Sequence, residues 1–257
     1  MQSNNDFGRL LELMQTEKID EKLVDELFKA GAHFGYSKTR RHPSMKPYIF
    51  GSKNRTDIID LDKTVGMLAK AITYIEELSR EGKQIIFVGN KKEAEKAVID
   101  AATKLDMPYV ANRWIGGTIT NFTEIRKRIA RLEDLLNKKE NGGLDIYTKK
   151  ERSVIDFEIE KLTKRYSGII KLKRLPAAIF VIDSDKEEIA VLEAQKAHIP
   201  VISISGSDCD ISNIDYPIPA NDASAQGIEF FLNKVIEAYR NAKVVNSPVS
   251  TNLTTPN

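Results

Sequence analysis

The chain has 257 residues, 41% hydrophobic and 30% charged, and its 39 Lys and Arg against 37 Asp and Glu give a formal net charge of +2. That length can bury a sizeable core in one large or two small domains, and the near-balance of charge excludes a histone-like basic chain, so any polyanion-binding surface must arise from local clustering. Cys209 is the only cysteine, which excludes an intrachain disulfide and fits a reducing cytoplasmic setting; with no signal-like apolar segment and no run of 18 apolar residues, neither secretion nor membrane spanning is expected.

Residues 1–20 are polar at first and then weakly amphipathic, and read as an N-terminal extension, either an arm or a peripheral helix. Ile58 to Leu61 is a short strand or strand end. Leu61, Val65, Leu68, Ile72, Ile75 and Leu78 then recur in steps of three and four, the pattern of a helix with one buried face, and Gly82 is placed to stop it. Gln84 to Val88 is an apolar run of strand length that Gly89 ends, and a helix with Ala94, Ala97, Val98 and Ala101 follows. Tyr109 to Ala111, Ala178 to Ile182 and Pro200 to Ile204 read as further strands. A helix carrying Ile189, Ala190, Glu193 and Ala197 lies between the last two, and a final helix carries Ile228, Phe231, Leu232, Val235 and Tyr239. Apolar strands alternating with helices indicate an α/β fold with a parallel sheet covered on both faces.

Residues 122–168 interrupt that alternation. Phe122, Ile125, Ile129, Leu132 and Leu136 form one heptad-like series, and Ile155, Ile159, Leu162 and Tyr166 form another, around a polar break with Gly142-Gly143. This predicts an inserted antiparallel coiled-coil hairpin with arms of roughly 25 Å or more. The expected organisation is therefore an extension (1–20), a discontinuous α/β domain (21–121 and 169–243), a hairpin insertion (122–168) and a disordered tail (244–257) with Pro248, Pro256 and many Ser, Thr and Asn residues.

The most informative stretch is residues 112–122, Asn-Arg-Trp-Ile-Gly-Gly-Thr-Ile-Thr-Asn-Phe. It holds Arg113, the only tryptophan (Trp114), the Gly116-Gly117 pair and Asn121 as a cap for the basic helix that carries Arg126, Lys127, Arg128 and Arg131. Adjacent glycines allow a positive φ or a close backbone approach. A turn before an ordinary solvated helix explains the same residues. Two segments without any acid add to the signal. Ser37 to Arg55 contains Lys38, Arg40, Arg41, Lys46, Lys53 and Arg55, and Lys161 to Ile182 contains Lys161, Lys164, Arg165, Lys171, Lys173 and Arg174. Twelve cations so placed in a chain of net charge +2 imply one basic side, the electrostatic footprint of a nucleic-acid binder. A loop of cations, prolines and the aromatics Tyr48 and Phe50 suits folded RNA better than a DNA groove. The alternation of those aromatics with Ile49 also fits packing into a core.

Other candidates are weaker. Phe87 to Lys92 follows a strand and opens a helix, but lacks the spacing of either glycine-rich phosphate motif, so Lys91 and Lys92 are expected on RNA phosphates instead. His33, His42 and His198 are scattered, and Cys209 between Asp208 and Asp210 is thin support for a metal. Asp183 and Asp185 follow a strand and suit helix capping. No cofactor, metal, catalytic residue or small-molecule substrate is expected; the alternative is a Rossmann-like enzyme acting on a nucleotide or phosphorylated metabolite.

Four blocks carry a family resemblance: residues 112–122; His33-Phe34-Gly35 with Arg40-Arg41, Pro43 and Met45 to Gly51; Leu172 to Asp183; and Asp215 to Pro219 with Asn221-Asp222. In order and spacing, from about Leu27 to Ala242, they resemble the bacterial small-subunit ribosomal protein two family. The resemblance implies a flavodoxin-like domain with an inserted coiled-coil hairpin. It also implies a structural, non-enzymatic role in the cytoplasmic ribosome, with 16S rRNA bound near the head–body junction. Neighbouring small-subunit proteins are implied partners, including ribosomal protein one, whose docking the family supports. The sequence departs from the family at Tyr36, where histidine is usual, at Arg41-His42 for Trp-Asn, and at Gly206 to Asp208 for Asp-Thr-Asn.

Overall fold

The structure, a computed structural model, describes residues 21–245; residues 1–20 and 246–257, on which the expected extension and most of the expected tail fall, lie outside the described residues. Five strands form a wholly parallel sheet: β4 (Ile85–Val88), β5 (Tyr109–Val110), β6 (Ala178–Ile182), β7 (Val201–Ser205) and β8 (Tyr216–Pro219). Their order is β5-β4-β6-β7-β8. Numbered from β4, that is 2-1-3-4-5, the flavodoxin-like doubly wound arrangement. A smaller antiparallel sheet of β1 (Phe34–Ser37), β3 (Thr56–Ile59) and β2 (Ile49–Lys53) precedes it.

Every residue of β4, β6 and β7 is buried, which is why these strands are apolar throughout rather than alternating. One face of the sheet presents Ile85, Phe87, Phe180, Ile182, Ile202 and Ile204 to an apolar cluster shared with α2 (Leu61–Arg80), α3 (Lys92–Leu105) and α7 (Ala225–Val245). A helix over residues 21–29 (α1) adds Leu27 to that cluster. The stripe predicted for residues 61–78 is the buried face of α2, and Gly82, at φ +63, ends it. The other face presents Ile86, Val88, Ile179, Val181 and Val201 to α6 (Glu188–Lys196), Trp114 and Ile119.

Residues 122–168 fold largely as two helices, α4 (Phe122–Glu140) and α5 (Lys149–Tyr166). A capping box between Thr148 and Glu151 starts α5. Ion pairs Arg131–Glu158 (3.3 Å) and Lys139–Asp156 (2.7 Å) link the helices. Their apolar faces, with Ile125, Ile129, Leu132, Ile159, Leu162 and Tyr166, belong to the same buried cluster as the second face of the sheet.

The small sheet is held at the C-terminal end of β7. Ser207 Oγ accepts the N–H of Tyr36 at 2.7 Å, and the Ser207 carbonyl accepts the N–H of His42 at 3.0 Å. Gly35 is required there, because a Cβ would lie 2.9 Å from Ser207 Oγ.

Candidate nucleic-acid interface

The Trp114 segment leaves β5 and is shaped by a residue from α6. Glu193 is 7% exposed, yet its carboxylate accepts five hydrogen bonds. Oε1 takes the N–H of Gly117 (2.6 Å) and the indole N–H of Trp114 (3.2 Å). Oε2 takes the N–H of Ile119 (2.9 Å), the N–H of Thr120 (3.1 Å) and the Thr120 hydroxyl (3.1 Å). Burial pushes this carboxyl up, but the donors from Ile119, Gly117, Thr120 and Trp114 outweigh it and hold it below its ordinary range. Trp114 is buried at 4% exposure, so its face packs in the core and does not stack on a ligand.

Only one glycine of the pair is conformationally special. Gly117 sits at φ +90, and a Cβ there would lie 3.2 Å from Asn121 Cβ. Gly116 has no positive φ, and its nearest neighbour to a Cβ is Glu193 Oε1 at 4.0 Å. Asn121 occupies the N-cap position of α4 but makes no side-chain capping bond, a correction to its expected role. Its backbone carbonyl instead accepts the N–H groups of Glu124 and Ile125.

Below this loop lies a cleft of about 650 Å³ lined by Arg113, Trp114 and Gly116, by Ile189 of α6, and by Lys161, Lys164 and Arg165 of α5. Among the described residues, four cations and no acid line it. Lys161, Lys164 and Arg165 belong to an acid-free segment, but the sequence did not single them out as site residues. Their i, i+3, i+4 spacing, which puts them on one helix face, was the available signal.

The expected RNA-facing residues divide by what they touch. Lys38, Lys46, Lys53, Arg55, Lys92, Arg113, Arg128, Lys173 and Arg174 are exposed. Arg40, also exposed, pairs with Asp208 at 2.9 Å and lies over the Tyr36 ring, 4.7 Å from its centroid. Lys127 pairs with Glu124 at 2.6 Å, and Lys171 with Asp106. Arg126 is half-buried and reaches the carbonyls of Ile170 and Leu172 at 3.4 Å. Arg41 is a structural residue: Nε reaches Asp57 Oδ2 at 2.6 Å, Asp57 is fully buried, and the pairing holds the Asp57 carboxyl below its usual range. Tyr48 is half-buried against the second apolar cluster, whereas Phe50 is 81% exposed, so the core reading fails for Phe50.

Lys91 needs the plainest correction. It was expected on RNA phosphates but is 8% exposed, with Nζ 2.6 Å from Asp183 Oδ2, 2.9 Å from Asp222 Oδ2 and 3.2 Å from Tyr36 Oη. Burial opposes the charge, but Asp222 and Asp183 more than offset it and raise the Lys91 pKa. The charge is therefore used inside the fold. The place is the carboxyl end of β4 and β6, the strands between which the order reverses and where doubly wound enzymes bind ligands. Here the protein's own ammonium fills it. Gly89 serves packing, since a Cβ would lie 3.1 Å from both Ile182 Cγ1 and Val98 Cγ2.

Asp183, Cys209 and Asp222 bring potential ligand atoms within 4.8 Å of one another. The expected neighbours of Cys209 in sequence, Asp208 and Asp210, are not part of this group. Lys91 contributes to both carboxylates the positive charge a metal would bring, and burial pushes the Cys209 thiol up to about 12, leaving it protonated. Asp183 also accepts the N–H groups of Asp185 (3.1 Å) and Lys186 (3.0 Å), which closes the turn before α6; the N-cap of that helix is Glu187, with no side-chain capping bond, so the capping role expected of Asp183 and Asp185 is corrected.

A buried ion-pair network thus occupies the place where a doubly wound enzyme would hold its ligand, and a basic cleft lies at the Trp114 loop. The chain matches the family described as "Ribosomal protein S2" over residues 27–242. It is also 46% identical over 222 residues, 86% of this chain and 89% of the relative, to "Small ribosomal subunit protein uS2" of Chloroherpeton thalassium. The chain belongs to the ribosomal protein S2 family, a family of structural ribosomal proteins and not of enzymes. No helix among the described residues is long and apolar enough to cross a membrane.

Proposed function

We propose that this chain binds 16S rRNA near the junction of head and body in the small subunit of a cytoplasmic ribosome, and that its principal RNA contact is the cleft between the Trp114 loop and α5. The observation that carries this reading is the lining of that cleft, four cations without an acid. Lys173 and Arg174 extend the same basic surface along the chain into β6, and Lys38, Lys46, Lys53 and Arg55 provide a second phosphate-binding patch on the small sheet. α4 and α5 act as an inserted coiled-coil hairpin that reaches away from the sheet. The exposed aromatics Phe34 (51%) and Phe50 (81%), on the two outer strands of the small sheet, are the apolar surface on which ribosomal protein one docks.

The test is a salt titration of binding to a 16S rRNA fragment. Neutralising Arg113, Lys161, Lys164 and Arg165 together should flatten the dependence of log K on log salt by about 3 units, at ~0.7 to 0.9 per phosphate contact. An unchanged slope would remove the cleft from the interface. Phe50→Ser should leave that slope unchanged and weaken capture of ribosomal protein one; normal capture would remove Phe50 from the docking surface.

A further inference from the structure

Beside its cations the basic cleft has an apolar wall, made by Ile115 of the Trp114 loop and Ile189 of α6. Ile115 is half-buried, whereas Ile189 is 53% exposed and lies outside both buried clusters. A lone exposed isoleucine is ordinary on a protein surface. Here it shares one cleft with Arg113, Lys161, Lys164 and Arg165. Farther toward the tip of the hairpin, Arg131, Lys138, Lys139 and Arg152 each pair with an acid. The four cleft cations have no acidic partner among the described residues. We infer that this cleft takes one unpaired nucleotide of the RNA, its phosphate on the cations and its base laid against Ile189 and Ile115. The inference rests on the reading of the cleft as an RNA contact, and adds which part of the RNA enters it.

The two walls together decide between paired and unpaired RNA. A paired stretch presents phosphates and 2′-hydroxyls outward and keeps its base faces stacked inside, so it would satisfy the cations and leave Ile189 in water. A nucleotide at a loop or bulge can be splayed out, and then offers a charged phosphate and an apolar base face at once. Laying that face on Ile189 withdraws apolar surface of both partners from water. The volume of about 650 Å³ is in the range of pockets that enclose a whole small ligand, and exceeds what a phosphate alone fills. An acidic peptide with an apolar side chain shares the same two properties. The positive surface favours RNA over it, because the acid-free segment runs on past the cleft to the exposed Lys173 and Arg174, a length that suits a polyanion.

The experiment is 2′-hydroxyl acylation of 16S rRNA in purified small subunits that carry the wild-type chain, Ile189→Ser or Ile189→Leu. Because Ile189 is exposed and outside the buried clusters, serine there should leave the melting transition unchanged. At least one nucleotide outside the paired stretches should be protected in wild type and become about tenfold more reactive in Ile189→Ser, the scale set by burying one aliphatic side chain. Ile189→Leu should keep it protected. In the salt titration against the 16S fragment, Ile189→Ser should keep the wild-type slope, since no charge is lost. The inference is overturned if Ile189→Ser changes no nucleotide, the outcome an acidic peptide in the cleft would give, or changes only paired ones. Failure of the RNA-contact reading is a separate result: an unchanged salt slope when the four cations themselves are neutralised.

Discussion

Glu193 accepts the indole N–H of Trp114 at 3.2 Å across 79 positions of sequence, and the same carboxylate collects the backbone of the turn that follows. Replacing it with alanine strands the N–H groups of Gly117 and Ile119 without an acceptor. At ~1 to 3 kcal/mol for each group so stranded, Glu193→Ala should lower the melting temperature by about 4 to 24 °C, given ~2 to 4 °C per kcal/mol for a chain of this size. Glu193→Gln, which keeps one acceptor, should fall between. Because hydrogen bonds hold the folded carboxyl below its unfolded pKa, its contribution is present above pH ~4.5 and is lost as pH falls through the folded value. A Glu193→Ala protein that melts like wild type at pH 7 would remove the carboxylate from its central place.

The two adjacent glycines should respond differently. Gly116→Ala meets only an ordinary contact with Glu193 Oε1 at 4.0 Å and has an ordinary φ, and should assemble into small subunits normally. Gly117→Val places a β-branched side chain at φ +90 against Asn121, costing ~1 to 2 kcal/mol or more. It should also misdirect the start of α4, and so impair incorporation more than Arg126→Ala does. Quantitative mass spectrometry of purified subunits reads both; equal incorporation of the two glycine variants would show that the turn is not geometrically demanding.

Lys91→Met removes the ammonium from between two buried carboxylates. Breaking a buried pair from one side costs ~3 to 5 kcal/mol, so the urea midpoint should drop markedly. The double variant Lys91→Met/Asp222→Asn should recover part of the loss, because one stranded charge is gone. If the double variant is the less stable of the two, the triad is not an ion-pair network.

Glu187 gives a pH dependence of opposite sense to Glu193. It is 2% exposed and accepts the N–H of Asn90 at 2.9 Å, and burial raises its pKa to about 7. The folded state therefore prefers the protonated acid, and stability declines as pH rises from ~4.5 to about 7, then levels. Glu187→Gln keeps the acceptor and removes the ionisation. It should stabilise the chain at pH 8 by on the order of 2 kcal/mol and change little at pH 4. Equal stability of the two proteins at both pH values would refute this.

The hairpin should tolerate trimming only at its far end. Replacing residues 138–153 with a short Gly-Ser linker should leave melting cooperative, since Ile125, Ile129, Ile159 and Leu162 remain in the buried cluster they share with the sheet's second face. Replacing 123–167 removes those side chains from the cluster and should cost the chain its single sharp transition. A cooperative melt in the longer deletion would make the hairpin independent of the core.

Periodicity made β4, β6, β7 and the helix faces readable, because burial on both faces of a sheet or on one face of a helix leaves a local pattern. Tyr216–Pro219 was not read as a strand, since two prolines in four residues argue against one; β8 lies at the sheet edge, where prolines are tolerated. Phe34–Ser37 is not legible as a strand because four residues carry too little alternation. In the site, the basic segments were visible as composition, but burial was not. Lys91 looked like a surface cation because its partner Asp222 is 131 residues away, and Glu193 looked like an ordinary helical residue because its donors precede it by more than 70.

Those separations bear on the order in which a newly made chain matures. Synthesis delivers Arg113 and the glycine turn early, but their carboxylate organiser comes only at residue 193 of 257, and the α5 side of the cleft only shortly before it. Until β6 and α6 have emerged and docked, the loop and its Arg113 lack the acceptor that fixes the turn. A growing chain thus offers unshaped charge first and an organised surface last, and the geometry of the cleft is completed near the end of translation.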